Sequence, residues 1–220
     1  IFPKAKFTVL GDSEQALYTT AQSAKKTLFD LKTALHFKHA QLVELNKSYR
    51  SSQEITLFVR QMLPVDESIQ PFSRHGTRPE WLICDQTNWK ERLLQQISNL
   101  HTEFTSIAII TQTSKTAMKL QAYLRPQLKT TVLQSNNYKL PSGIIILPVY
   151  LAKGLEFDAV IVYDVSELEY PNKHRSILYT ACSRAMHRLT LLSIGTPAEL
   201  IEQIDPTTFE KKDFTNQLLK

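Results

Sequence analysis

Three short runs of continuously apolar residues place the strongest limits on the fold of this chain. They read IAII at residues 107–110, GIIIL at 143–147 and AVIVY at 159–163. Uninterrupted apolar runs of this length are typical of strands that are buried on both faces of a sheet. Segments with helical periodicity lie between such runs, and this alternation predicts an α/β fold: a parallel sheet with helices on both faces.

The same patterns predict the individual elements. Strands are expected at residues 7–10, 41–45, 81–85, 106–111, 130–133, 143–149, 158–164 and 189–194. Helices are expected at 21–35, 51–63, 88–104, 114–124, 173–186 and 197–204. Ser51 and Glu54 have the spacing of a capping box at the start of the second helix. Residues 41–205 are therefore predicted to form a compact domain, preceded by the end of another domain with a connecting helix (1–40) and followed by a polar tail (206–220).

Composition narrows the class of protein. The 220 residues are 42% hydrophobic and 21% charged, and no apolar run reaches the length of a membrane span. A net charge of +5 suits a polyanionic partner without specifying one. Cys84 and Cys182 are far apart and have no metal-ligand spacing, so we expect a reduced cytoplasmic protein without a metal site of its own. Because the chain begins with Ile1 rather than Met, we expect it to be a piece of a longer protein.

The chain lacks the usual loop for binding phosphates. That loop, Gly-x-x-x-x-Gly-Lys-Ser/Thr, surrounds phosphate oxygens with backbone N–H groups and places a lysine beside them. None of the five glycines precedes a lysine, and Lys153 and Gly154 stand in the opposite order. The sequence therefore predicts a domain of nucleotide-binding architecture without a phosphate cradle.

Four segments carry residues suited to phosphate or base recognition. They read VLGDSEQALY at 9–18, LNKSYRSSQEI at 45–55, AKGLEFDAVIVYDV at 152–165 and ILYTACSRAMHRL at 177–189. Each also has a purely structural interpretation: a strand-turn-helix, a capped helix start, a solvated loop and an amphipathic helix, respectively. The basic loop FSRHGTRPEW at 72–81 could meet phosphates through Arg74, His75 and Arg78, but a solvated loop is the favoured interpretation.

In this order, the four segments resemble the motor motifs of superfamily 1, UvrD-like ATP-dependent helicases. The third segment matches the family's Lys-Gly-Leu-Glu-Phe-Asp motif nearly letter for letter. The resemblance implies a second RecA-like domain, with three layers and no P-loop, preceded by the last motif of the first motor domain. ATP and Mg²⁺ would then be bound mainly by that preceding domain.

The resemblance also implies residue roles around the nucleotide. Gln15 would sense the terminal phosphate, Tyr49 would lie against the adenine, and Arg50 would reach the γ-phosphate. A guanidinium suits that task because its planar fork binds two phosphate oxygens and keeps its charge. Glu156 would bind the ribose, and Gly154 would let the backbone approach a ligand or adopt an unusual conformation.

Further roles concern hydrolysis and nucleic acid. Arg184 would be an arginine finger that neutralises charge on the transferring phosphate, with Ser183 replacing the family's threonine. Tyr18, Tyr150 and Lys153 would contact single-stranded DNA or another nucleic acid. Tyr150 stands where the family often has a histidine, so its contact would be stacking on a base.

The spacing of the motifs leaves several functions open. Arg50 and Lys153 are 103 positions apart, and predicted β-α units fill that interval except for the short polar stretch 134–142, so we expect the large accessory domain usual in this family to be absent or nearly so. A subgroup that acts on bacterial RNA polymerase shares this feature. The alternatives are a DNA helicase or translocase motor domain, a polymerase-recycling factor and a non-catalytic nucleic-acid-binding module. In either motor we expect this chain alone to be inactive.

Overall fold

Two parallel sheets organise the chain. The computed structural model describes residues 24–34, 47–63, 69–135 and 141–215, together with positions 6, 8–10, 41, 43 and 45. The smaller sheet pairs β1 (Lys47–Ser48) with β2 (Gln70–Pro71). The larger has seven strands: β3 (Glu80–Cys84), β4 (Ser106–Thr111), β5 (Thr131–Val132), β6 (Gly143–Pro148), β7 (Phe157–Tyr163), β8 (Ala185–Ile194) and β9 (Glu210–Asp213). Their spatial order is β5-β6-β4-β7-β8-β3-β9, and every pairing is parallel.

Helices cover both faces of the larger sheet. The helices are α1 (Ala24–Ala34), α2 (Gln53–Val59), α3 (Trp89–His101), α4 (Ser114–Leu124), α5 (Val149–Ala152), α6 (Arg175–Cys182) and α7 (Glu199–Glu202). Buried residues of α2, α5, α6 and α7 pack on one face, and those of α3 and α4 pack on the other. The predicted three-layer α/β architecture is thus confirmed. None of the helices described is long and apolar enough to cross a membrane.

Strand β4 shows why its sequence is continuously apolar. Ala108 and Ile110 point into one core, whereas Ile107 and Ile109 point into the other. All four side chains are fully buried. Because each large aliphatic side chain contributes about 1.5–3 kcal/mol on burial, a polar residue at any of these positions would weaken one of the two cores.

The N-cap of helix α2 lies one residue later than predicted. Its N-cap is Ser52, whose side chain accepts a hydrogen bond from the Ile55 N–H. Ser51 does not cap the helix, because its hydroxyl donates instead to the carbonyl oxygen of Ala185 at 2.6 Å. Glu54 consequently does not complete a capping box.

The helix predicted at residues 173–186 is shorter, and the strand after it begins earlier. Helix α6 ends at Cys182, and β8 begins at Ala185, which pairs with Phe157 of β7. Parallel pairing therefore starts where helical periodicity was expected to continue. Arg184 lies at the junction between the two elements, not within a helix.

Three other expectations about the chain ends need correction. Residues 210–213, assigned to the tail, form edge strand β9 and pair with β3. The sheet therefore extends past residue 205. Of the strands predicted at 7–10 and 41–45, the described positions 8–10, 41, 43 and 45 belong to no strand, and Val43 and Leu45 are exposed. A strand requires a hydrogen-bonding neighbour, and apolar sequence alone does not supply one.

Candidate functional site

Three of the four sequence motifs meet at the end of the sheet where β7 and β8 begin, called here the amino end. The third and fourth motifs are joined by a hydrogen bond from the Phe157 N–H to the Arg184 carbonyl oxygen at 3.1 Å. This bond places the first residue of β7 beside the last residue before β8. The Lys-Gly-Leu-Glu-Phe-Asp loop is therefore held directly against the turn that carries Arg184.

The second motif joins the same end through β8. The neighbouring strand β3 begins its pairing only at Thr190, so the first residues of β8 have space beside them. The segment after Arg50 occupies that space: the Ser51 hydroxyl donates to the Ala185 carbonyl at 2.6 Å, and the Ser52 N–H donates to that of Met186 at 3.1 Å. These bonds fix the start of α2 relative to the other two motifs.

An exposed ion pair links the second and third motifs. The Arg50 Nε atom lies 2.5 Å from Glu156 Oε1, and the two side chains are 34% and 44% exposed. An ion pair so open to water contributes at most about 1 kcal/mol to stability. Either group can therefore exchange its partner for a ligand at little cost.

The Arg50 backbone is held by a residue from the basic loop. The Arg74 guanidinium donates to the Arg50 carbonyl oxygen and also to that of Met186, at 3.3 Å. Glu54 fixes the next part of this loop through His75 Nδ1 at 3.1 Å and through the Gly76 N–H at 2.7 Å. The loop is thus part of the site's framework, and Arg74 is not simply solvated. The clustering of basic residues in the sequence was a signal for the loop but not for these contacts.

Arg184 is fully buried in this structure. Its Nε atom donates to the Thr180 carbonyl at 3.0 Å, and its two terminal nitrogens donate to the Ser183 hydroxyl at 3.0 Å and the Leu155 carbonyl at 3.5 Å. The side chain therefore connects the end of α6 to the loop that presents Glu156. The residue predicted as an arginine finger has its guanidinium inside the domain, adjacent to the site surface.

Gly154 has a conformational role. Its φ of +82° lies in the left-handed region that side chains other than glycine rarely adopt. A Cβ atom at this position would meet nothing within 4 Å. Of the two reasons given above for a glycine here, backbone conformation is therefore the one this structure supports.

Tyr150 lies at the opposite, carboxyl end of the sheet. It lies two residues after the end of β6, its side chain is exposed, and its hydroxyl is 3.0 Å from that of Ser114 at the start of α4. Residues 149–156 then run the height of the sheet to the amino end of β7. Lys153, midway along this segment, is exposed. The structure therefore does not bring Tyr150 together with Arg50 and Glu156.

The carboxyl end also contains a carboxyl group with a shifted pKa. Burial raises the pKa of Asp164 to about 7, although hydrogen bonds from the Ile194 N–H at 2.8 Å and the Ser166 hydroxyl at 3.2 Å oppose that change. Asp164 follows β7, and nothing in its local sequence pattern marks it as unusual. Its environment depends on burial, which only the fold reveals.

Two of the predicted nucleotide and nucleic-acid residues, Gln15 and Tyr18, lie outside the described residues. Tyr49 is exposed and lies against Phe72, a contact that the sequence did not suggest. Within the described part of the chain, no three His, Cys, Asp or Glu side chains are grouped so that they could hold a metal ion.

Comparison with known proteins agrees with the fold and the motifs. A family model described as the UvrD-like helicase C-terminal domain matches residues 143–192, from β6 into β8. The crystal structure of the C-terminal domain of a possible DNA helicase from Lactobacillus plantarum WCFS1 is 32% identical, with a TM-score of 0.65 over 74% of this chain and 98% of that chain. None of the curated proteins searched matches the chain.

Other structures match at much lower similarity. Methylated PRRSV nsp10 helicase is 10% identical, with a TM-score of 0.39 over 61% of this chain and 30% of that chain. The C-terminal part of the Fun30 ATPase domain is 13% identical, with a TM-score of 0.36 over 54% and 45% of the respective chains. Likenesses this low carry no argument about function. The sheet and the converging motifs define a RecA-like helicase domain. By its likeness to the Lactobacillus domain, the chain belongs to the UvrD-like helicase C-terminal domain family.

Proposed function

We propose that this domain is the second motor domain of an ATP-dependent DNA helicase or translocase. In this proposal the amino end of its sheet forms one wall of an ATP site shared with a preceding domain. The observation that carries it is the exposed Arg50–Glu156 ion pair, which stands where three motor motifs converge. The similar Lactobacillus domain comes from a possible DNA helicase, which favours DNA as the nucleic acid.

Arg50 is the cation best placed to meet a phosphate. Its side chain is one-third exposed, and its backbone is fixed by Arg74 and by the hydrogen bonds of Ser51 and Ser52. A γ-phosphate would replace Glu156 as the acceptor of its N–H groups, because guanidinium binds phosphate with two parallel hydrogen bonds. Glu156 would then be released to accept a hydrogen bond from a ribose hydroxyl.

The remaining parts of the ATP site belong to the preceding domain in this proposal. A phosphate loop is missing from the sequence, so the partner domain would surround the triphosphate. Mg²⁺, when bound there, would neutralise charge on the phosphates. Arg184 stays a predicted arginine finger; to act as one, its guanidinium would have to exchange the carbonyl oxygens of Thr180 and Leu155 for phosphate oxygens.

The carboxyl end of the sheet would face the nucleic acid. Tyr150 offers an exposed ring there for stacking on a base, and Lys153, midway along the segment that leaves this end, offers a cation for the nucleic-acid backbone. Closure of the two motor domains on ATP, followed by opening after hydrolysis, would move this surface along a single strand.

The direct test compares two exposed arginine–glutamate pairs in the complete protein that contains this domain. Arg50→Ala should lower DNA-stimulated ATP turnover at least about 100-fold, because it removes the positive charge that would stabilise the transferring phosphate. Arg78→Ala breaks a similar pair, Arg78–Glu210, and should leave turnover within about twofold, since pairs so exposed contribute little. Equal effects of the two substitutions, or robust ATP turnover by residues 1–220 alone, would contradict the shared site.

A second candidate is a motor that displaces RNA polymerase from nucleic acid. The observation that favours it is the interval between Arg50 and Lys153, where β2 to β6 and two long helices occupy the described residues and no accessory domain is inserted among them. Such a motor should co-purify with RNA polymerase and show little strand separation in a duplex-unwinding assay. Efficient unwinding of a long duplex by the complete protein would exclude this candidate.

A further inference from the structure

Two exposed aromatic rings lie next to each other at the amino end of the sheet. Tyr49 is 64% exposed and Phe72 is 39% exposed, and their ring centroids are 5.0 Å apart with planes inclined at 40°. The two residues come from segments far apart in the sequence. Exposed aromatic rings in contact leave an apolar surface against which a planar group could pack.

The short parallel pair β1–β2 holds the two rings together. Ser48 is in register with Pro71, so the next residues on the two strands, Tyr49 and Phe72, emerge side by side. The Phe72 N–H continues the ladder by donating to the Ser48 carbonyl oxygen at 3.1 Å. The position of Phe72 beside Tyr49 is therefore set by the backbone, not by a chance surface contact.

The same backbone connects the ring pair to the exposed ion pair. The Arg74 N–H donates to the Phe72 carbonyl at 2.8 Å, and the Arg74 guanidinium holds the carbonyl of Arg50. The Phe72 ring and the Arg50 guanidinium thus belong to one hydrogen-bonded unit. A ligand that contacts both would combine a planar ring system with an anionic group.

The Lys47 ammonium group lies close to both rings. The Lys47 ammonium lies 5.5 Å from the Tyr49 ring centroid and 5.2 Å from that of Phe72. Cations take such positions because the face of an aromatic ring carries negative potential. The cluster of Lys47, Tyr49, Phe72 and Arg50 therefore combines two aromatic rings with two positive charges, a composition that suits a nucleobase with phosphates attached.

We propose that Tyr49 and Phe72 form a two-ring platform for the nucleobase of the bound nucleotide, with Phe72 as a base-positioning residue. This inference rests on the proposed ATP site at the amino end. Tyr49 alone was assigned to the adenine from the family resemblance; Phe72 enlarges that surface from a loop outside the motifs. Phe72 contributes affinity for the base and leaves the phosphate chemistry to Arg50.

The test uses the complete protein and separates the base from the phosphates. Phe72→Ala should raise KM for ATP about five- to tenfold, as expected for the loss of a stacking surface, and should change kcat less than about twofold. Inhibition by tripolyphosphate, which has no base, should be the same for Phe72→Ala and wild type. Phe72→Trp, unlike Phe72→Ala, keeps an aromatic ring at this position and should have the wild-type KM for ATP.

Distinct outcomes separate the two proposals. An unchanged KM for ATP in Phe72→Ala, together with lost turnover in Arg50→Ala, overturns the platform and leaves the ATP site standing. Normal turnover in Arg50→Ala overturns the ATP site itself. If Phe72→Ala weakens binding of a single-stranded oligonucleotide and leaves KM for ATP unchanged, the rings take their base from nucleic acid, and the assignment to the nucleotide is wrong. An equal loss of tripolyphosphate inhibition in Phe72→Ala would show a general structural defect and would also overturn it.

Discussion

The two ends of the central sheet differ in how far their charged groups are exposed to water. At the amino end, three segments distant in sequence are joined through backbone carbonyl oxygens, and the Arg50–Glu156 pair remains open to solvent. At the carboxyl end, the Tyr150 hydroxyl contacts that of Ser114, and the carboxyl group of Asp164 is withdrawn from water, where it accepts hydrogen bonds from the Ile194 N–H and the Ser166 hydroxyl. Backbone contacts make the amino end a fixed frame around exposed charges.

This difference bears on a general rule. In open α/β sheets ligands usually bind outside the carboxyl ends of the strands. Here the motif residues suited to phosphates lie at the amino end, and the stacking residue Tyr150 lies at the carboxyl end. Tyr150 and Glu156 are six positions apart in sequence yet lie at opposite ends, joined by one segment. Two ligands on one domain can thus be separated by the height of a strand.

The largest expected effect on stability comes from Arg184. Arg184→Ala should lower the free energy of unfolding by about 2–4 kcal/mol, because it empties a fully buried site and leaves the carbonyls of Thr180 and Leu155 without their charged donor. Urea denaturation of the domain measures this change. Such a loss of stability would show that the hydrogen-bonded structure of the amino end depends on this side chain.

Arg188, in β8, is a matched control for Arg184. Arg188 pairs with Glu103 at 2.9 Å, with side chains 30% and 54% exposed, and also donates to the Thr77 hydroxyl at 2.6 Å. Because these contacts are open to water, Arg188→Ala should cost only about 1 kcal/mol. The account is contradicted if Arg184→Ala has the wild-type free energy of unfolding but no ATP turnover. Arg184 would then act only in the reaction, and its buried contacts would not stabilise the amino end.

A smaller effect is expected at the carboxyl end. Tyr150→Ala should weaken binding of single-stranded DNA by about 1–3 kcal/mol, the usual contribution of one stacked base, and leave KM for ATP unchanged. Tyr150→Phe keeps the ring, loses only the hydroxyl contact with Ser114, and should bind DNA nearly as the wild type does. Fluorescence anisotropy with a labelled oligonucleotide measures both. A raised KM for ATP in Tyr150→Ala would contradict the proposal that nucleotide and DNA bind at opposite ends of the sheet.

Much of the fold could be predicted because a strand buried on both faces has a continuously apolar sequence. The strands β4, β6 and β7 are continuously apolar, and helix α3 repeats its apolar residues at helical intervals. Strand β9 could not be recognised, because its residues Glu210–Asp213 are all exposed and polar. It pairs with β3 through backbone N–H and carbonyl groups, which every residue except proline has.

Candidate site residues could be named from the sequence, but their contacts could not. Arg50, Glu156 and Arg184 stand in recognisable motifs, but their surroundings depend on hydrogen bonds to the carbonyls of Thr180, Leu155 and Ala185. Carbonyl oxygens are the same at every residue, so sequence patterns carry no record of which one is used. For the same reason Phe72 and Arg74 appeared to belong to an ordinary surface loop.

The most direct test of the division between the two ends is amide hydrogen exchange in the complete protein, with and without a non-hydrolysable ATP analogue. Slower exchange should appear in residues 49–54 and 153–157, while residues 111–116 and 163–169 should remain unchanged. Slower exchange at residues 163–169 without any change at residues 49–54 would place the nucleotide at the carboxyl end and contradict the proposed site.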